Sequence, residues 1–117
     1  MKIVKVILST DAEVVLDQLV ANARSSKREG VLVRGFHKKV EITKSNIHYG
    51  DKVERRLWPI EYVIKYSINN LFRLELPGFW RLTYTLKNGL SENEIVILIL
   101  DIMDHKTYDK KFGYRKR

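Results

Sequence analysis

Within LFRLELPGFWRLTYTL, residues 71–86, a Pro77-Gly78 turn joins two stretches that read as strands. Side chains alternate across a strand, so Arg73 and Arg81 share one face with Glu75, Phe79, Thr83 and Thr85. The other face collects Phe72, Leu74, Leu76, Trp80, Leu82, Tyr84 and Leu86, a core set. His105, Lys106 and Tyr108 follow directly after the apolar run EIVILILDIM at 94–103. If that run neighbours the two strands, residues 104–111 emerge beside the arginines.

Such a group suits metal-free cleavage of RNA. The 2′-hydroxyl attacks the adjacent phosphate, which needs a base to take its proton and an acid to protonate the departing 5′-oxygen. Arginine and lysine stabilise the extra charge on the pentavalent phosphate. Histidine is the side chain best poised to shuttle protons near neutral pH. Tyr108 could assist, or could stack on a base of single-stranded RNA. Each residue also has an ordinary reading. Arg81 could pair with Glu75 across the hairpin, His105 and Lys106 could be solvated surface, and Tyr108 and Phe112 share a helical spacing that suits packing.

Other chemistries find less support. His37, His48 and His105 are far apart, without an H-E-x-x-H motif, so no bound metal is expected. The six glycines sit singly, which gives no phosphate-cradling loop, and no G-x-S-x-G elbow is present. There is no cysteine, hence no disulfide and no thiol catalysis. No cofactor is implied. Twenty-two Lys and Arg against fourteen Asp and Glu leave a net charge of +8, which favours a polyanionic partner, chiefly nucleic acid. The first residues, MKIVKVILSTDAEVV, lack the features of a signal peptide, no stretch approaches a membrane span, and a cytoplasmic protein is expected.

The elements that must position the group are legible as patterns. With 117 residues, 44% of them hydrophobic, the chain suits one domain, 1–117, with a single core. IVKVIL at 3–8 predicts a first strand. Thr10 and Glu13 make a capping-box pattern opening a helix to about Arg24, with Ala12, Val15, Leu16, Leu19, Val20 and Ala23 at helical spacing. Ser26 and Glu29 open a second helix to about Lys44, lined by Leu32, Phe36 and Val40, although Gly30 and Gly35 disfavour it. A long connection, 46–70, contains Pro59, which predicts a short helix with Ile60, Val63 and Ile64 turned inward. The run at 94–103 predicts a strand covered on both faces, and Asp104 a cap for a last short helix. The expected fold is α+β: a helical hairpin on one face of a four-stranded, mostly antiparallel sheet, with the Arg73 and Arg81 face left open to water.

YGDKVERRLWPIEY, NLFRLELPGFWRLTYTL and LDIMDHKTYDKKFGYRKR, together with the helical hairpin, give the chain a resemblance to the RelE/ParE superfamily of type II toxin–antitoxin toxins, archaeal-type branch. Trp80-Arg81-Leu82-x-Tyr84 before an apolar strand and a basic terminal helix carries it most. The resemblance implies a small toxin, a metal-independent endoribonuclease that cuts messenger RNA on the ribosome, with a cognate antitoxin as partner. Arg81 is similar to that family's arginine after an aromatic residue. Arg73 approximates a strand lysine with a one-residue offset, and a second strand lysine has no counterpart. Tyr108 stands near the family's C-terminal tyrosine, and His105 and Lys106 near its basic residues. Lys110, Lys111, Arg115, Lys116 and Arg117 would grip RNA phosphates. ParE-type members imply the alternative of a non-nuclease inhibitor of DNA gyrase; an inactive RNA- or ribosome-binding member is the third possibility.

Overall fold

A computed structural model describes residues 2–113. The element order is β1 (Ile3–Leu8), α1 (Thr10–Asn22), α2 (Lys27–Ser45), β2 (Asp51–Lys52), α3 (Ile60–Tyr66), β3 (Phe72–Leu76), β4 (Trp80–Asn88), β5 (Glu94–Met103) and α4 (His105–Phe112), with single 3₁₀ turns at Arg55–Leu57 and Pro77–Phe79. The fold is α+β. The sheet has five strands rather than four, in the order β1-β5-β4-β3-β2, because the two residues of β2 pair with β3 at its edge. Only β1 and β5 run parallel; the other pairings are antiparallel.

Why the helices start where they do is local chemistry. The first cap is Ser9, one residue ahead of the predicted Thr10. Ser9 Oγ accepts from Ala12 N at 3.0 Å and donates to the Leu100 carbonyl at 2.7 Å, so one buried hydroxyl turns the chain from β1 into α1 and ties it to β5. Ser26 caps α2 as predicted, accepting from Glu29 N. Gly35 is explained by packing. A Cβ there would sit 2.5 Å from the Pro77 ring, so only glycine lets α2 lie against the β3–β4 turn.

α1 and α2 cover one sheet face. Ala12, Leu19, Leu32 and Phe36 pack with Phe72, Leu74, Leu76, Leu82, Tyr84, Ile97, Ile99 and Ile102. Trp80 and Leu86 join this core only partly buried. The predicted face division of β3 and β4 therefore stands.

The opposite face is not the open surface expected. A second core lies there: Val53, Tyr62 and Ile68 from the long connection, Leu71 just ahead of β3, Leu100 and Met103 from β5, and Tyr108 and Phe112 from α4. Thr83 and Thr85 are fully buried. α3 is also turned the other way from the prediction. Ile60 and Ile64 are 70% and 76% exposed, Val63 is exposed, and Tyr62 points inward. The inward face is set by a hydroxyl: Tyr62 Oη donates to Asp101 Oδ2 at 2.6 Å and lies 2.9 Å from Thr83 Oγ1. Burial, then the charge of Asp101, pushes the Tyr62 phenol far above the usual tyrosine range, which keeps it a proton donor.

A bulge makes this network possible. Thr83 pairs with Asp101 and Tyr84 with Ile99, so Leu100 is the extra residue on β5. Beyond it the strand's facing shifts by one, and Asp101 and Met103 come onto the second face beside Thr83 and Arg81. No helix among the described residues is long and apolar enough to cross a membrane.

Candidate functional site

Arg73 and Arg81 project from β3 and β4 at the border of the second core, and both reach Tyr108 of α4. Arg73 Nη1 donates to Tyr108 Oη at 3.1 Å. The Arg81 guanidinium lies over the Tyr108 ring, 5.3 Å from its centroid, within cation–π range. The side chains are 31% and 19% exposed, so each is a partly desolvated cation rather than a free surface one. Asp51 lies 3.9 Å from Arg73 and Glu75 lies 4.0 Å from Arg81, both carboxylates exposed, and ion pairs of that length at an exposed carboxylate are weak.

Arg81 is held by the turn before it. Its Nη1 donates to the Phe79 carbonyl at 3.2 Å. Its Nε–H is buried and finds no hydrogen-bond partner among the described residues. Phe79 itself has φ +65, a left-handed conformation unusual for a bulky residue, and its ring is 74% exposed. That ring meets His105 edge-to-face at 6.2 Å between centroids. The β3–β4 turn and the start of α4 are thereby brought together, with Arg81 tied to the turn through the Phe79 carbonyl.

α4 is capped by Asp104, which accepts from Thr107 N at 2.8 Å. This hydrogen bond holds the Asp104 carboxyl below the usual carboxylate range. His105 and Lys106 occupy the first turn and are exposed. Tyr108 is buried, stacked on Phe112 at 4.4 Å, with its hydroxyl turned to Arg73. It cannot stack on a nucleobase in this conformation, whereas the nearby ring of Phe79 is exposed. The sequence placed Phe79 on the correct face but gave it no role; its signal was a large aromatic at the end of a Pro-Gly turn.

Of the basic residues expected to grip phosphate, Lys110 is exposed. Lys111 is not available in the same way. Its ammonium bonds Glu61 and lies 3.3 Å from Asp101, pinning α4 to α3 and β5. Burial disfavours its charge, but the hydrogen bond to Glu61 and the field of Asp101 outweigh that and raise it above the usual lysine range. Arg115, Lys116 and Arg117 lie outside the described residues. Among the described residues no three His, Asp or Glu side chains converge as ligands for an ion.

The group can therefore hold an anion against two fixed guanidiniums, with an exposed imidazole, an ammonium and an aromatic ring at its rim. Compared with family models, with curated proteins and with solved structures, the chain matches none.

Proposed function

We propose that this protein is a metal-independent endoribonuclease of the toxin type, cutting messenger RNA on the ribosome in the cytoplasm and held in check by a cognate antitoxin. The observation that carries this reading is the convergence of Arg73 and Arg81, from neighbouring strands, on Tyr108 beside the exposed His105 and Lys106. The scissile phosphate binds the arginine pair, whose guanidiniums stabilise charge that grows on its oxygens in the transition state. Tyr108 positions the pair through its hydroxyl and its ring. His105 or Lys106 moves the protons, and Phe79 stacks on a base beside the cut.

The test is incubation of purified protein with ribosomes and a defined message. Codon-spaced cuts that end in 2′,3′-cyclic phosphate and disappear in Arg81→Ala are expected. Intact RNA together with inhibited gyrase supercoiling would overturn the nuclease reading in favour of a protein-directed inhibitor.

A further inference from the structure

Half of the chain's net positive charge sits on one helix away from the arginine site. α2 carries Lys27, Arg28, Arg34, Lys38, Lys39 and Lys44 against Glu29 and Glu41, a net of +4, half of the +8 for the whole chain. One buried side of this helix, Leu32, Phe36 and Thr43, faces the first core. The opposite side, at the i, i+4, i+7, i+11, i+14 spacing of a helical face, presents Lys27, Val31, Arg34, Lys38 and Glu41, all exposed. Arg28, His37 and Lys44 are exposed on its flanks. Lys27, Arg28, Arg34 and Lys38 make no ion pair with any described residue, while Glu41 is engaged by Lys44 at 3.5 Å. The cationic stripe from Lys27 to Lys44 is about 26 Å long at the rise of an α-helix. It lies on the sheet face opposite Arg73 and Arg81, and the molecule's smallest dimension is 22 Å.

We infer that the outer face of α2 docks on the phosphate backbone of double-helical RNA. Two features select this occupant. The face exposes no Phe, Tyr or Trp: Phe36 is the helix's one such residue, and it is buried. Single-strand binders rely on aromatic platforms, whereas a regular backbone can be held by cations alone. The only aliphatic group on the stripe is Val31, far less than the apolar centre of a protein interface. The inference rests on the ribonuclease reading for the choice of RNA. It adds that the chain is a wedge, one face on a folded RNA and the other on the strand to be cut.

The experiment measures anisotropy of a labelled 24-base-pair RNA duplex with the full chain, over a salt series. Wild type should bind, and the triple variant Lys27→Gln, Arg34→Gln, Lys38→Gln should bind at least about 30-fold more weakly, with its logarithmic salt slope smaller by about 2.7. Circular dichroism and the melting curve confirm that this surface variant folds. Lys2→Gln, exposed beside the edge strand β1 and outside both surfaces, should bind the duplex as wild type does. Absence of duplex binding by wild type, a triple variant within about twofold of it, or equal loss in Lys2→Gln overturns the inference. So does tighter binding to duplex DNA, or to a polyglutamate peptide, than to the RNA. RNA cleavage without duplex binding would remove this inference alone; duplex binding through α2 without cleavage would remove the nuclease reading alone.

Discussion

Arg81 lies over the ring of Tyr108, its guanidinium carbon 5.3 Å from the ring centroid. This couples a strand arginine to the terminal helix, and Arg73 completes the arrangement by donating to the same tyrosine's hydroxyl. The cations are thereby held in place before any substrate arrives, which is the condition for electrostatic stabilisation without reorganisation.

If the protein is the nuclease proposed above, Arg81→Ala removes charge at the reacting phosphate and should lower cleavage by about 10²–10³-fold. The Arg81 side chain is 19% exposed and gives up one hydrogen bond and one ring contact. Its loss also removes a buried N–H that has no partner among the described residues, so the melting temperature should fall by only a few degrees. Cleavage within tenfold of wild type, measured in single turnover, would place the chemistry elsewhere.

Two substitutions of Tyr108 separate positioning from packing. Tyr108→Phe keeps the ring and removes the acceptor for Arg73; cleavage should drop in kcat while KM and denaturant midpoint change little. Tyr108→Ala removes a fully buried ring from the second core and should cost about 3–5 kcal/mol. Equal stability of the alanine and phenylalanine variants would contradict the burial described.

Phe79 has opposed effects on stability and binding. Glycine at this position relieves the left-handed backbone, so Phe79→Gly should stabilise the fold by about 1 kcal/mol. The same change removes the exposed ring and should weaken single-stranded RNA binding by about 1–3 kcal/mol. A loss of stability, read from urea unfolding, would refute the strain argument.

Lys111 bridges three elements, and its side chain is 18% exposed. Lys111→Ala leaves Asp101 without its cation and should destabilise the fold by about 2–3 kcal/mol, less than for a fully buried pair. Hydrogen exchange should rise first in α4. Unchanged exchange there would mean that α4 is held by its aromatic packing alone.

The cap of α4 gives a pH dependence. In the folded protein the Asp104 carboxyl is depressed below its ordinary value of 3.8. Its stabilising contribution is therefore complete above that value and is lost as pH falls through the depressed one. Asp104→Ala should cost about 1 kcal/mol at pH 7. The gap from wild type should close on acidification below 3.8, and a gap that stays constant down to pH 2 would exclude this linkage.

Sequence alone was enough for patterns fixed by local chemistry. The strand at 3–8, the Ser26 cap, the apolar run 94–103 and the Asp104 cap all follow from periodicity or from a side chain satisfying a nearby backbone N–H. The face division of β3 and β4 follows from strict alternation. The choice of Ser9 over Thr10 as cap depended on the Leu100 carbonyl, ninety-one residues away, and no local pattern contains it.

What tertiary structure alone decided is how the second sheet face is covered. A seven-residue helix is too short for its periodicity to name an inward side, so the aliphatics of α3 could be read as core. Tyr62 instead turns inward, because a bulge at Leu100 brings Asp101 to meet its hydroxyl. The same packing buries Tyr108 and commits Lys111 to Asp101 and Glu61. Residue types and spacing supplied the cations; only contacts between distant segments determined which of them remain open to a substrate, because burial is a property of the assembled layers and not of any one strand or helix.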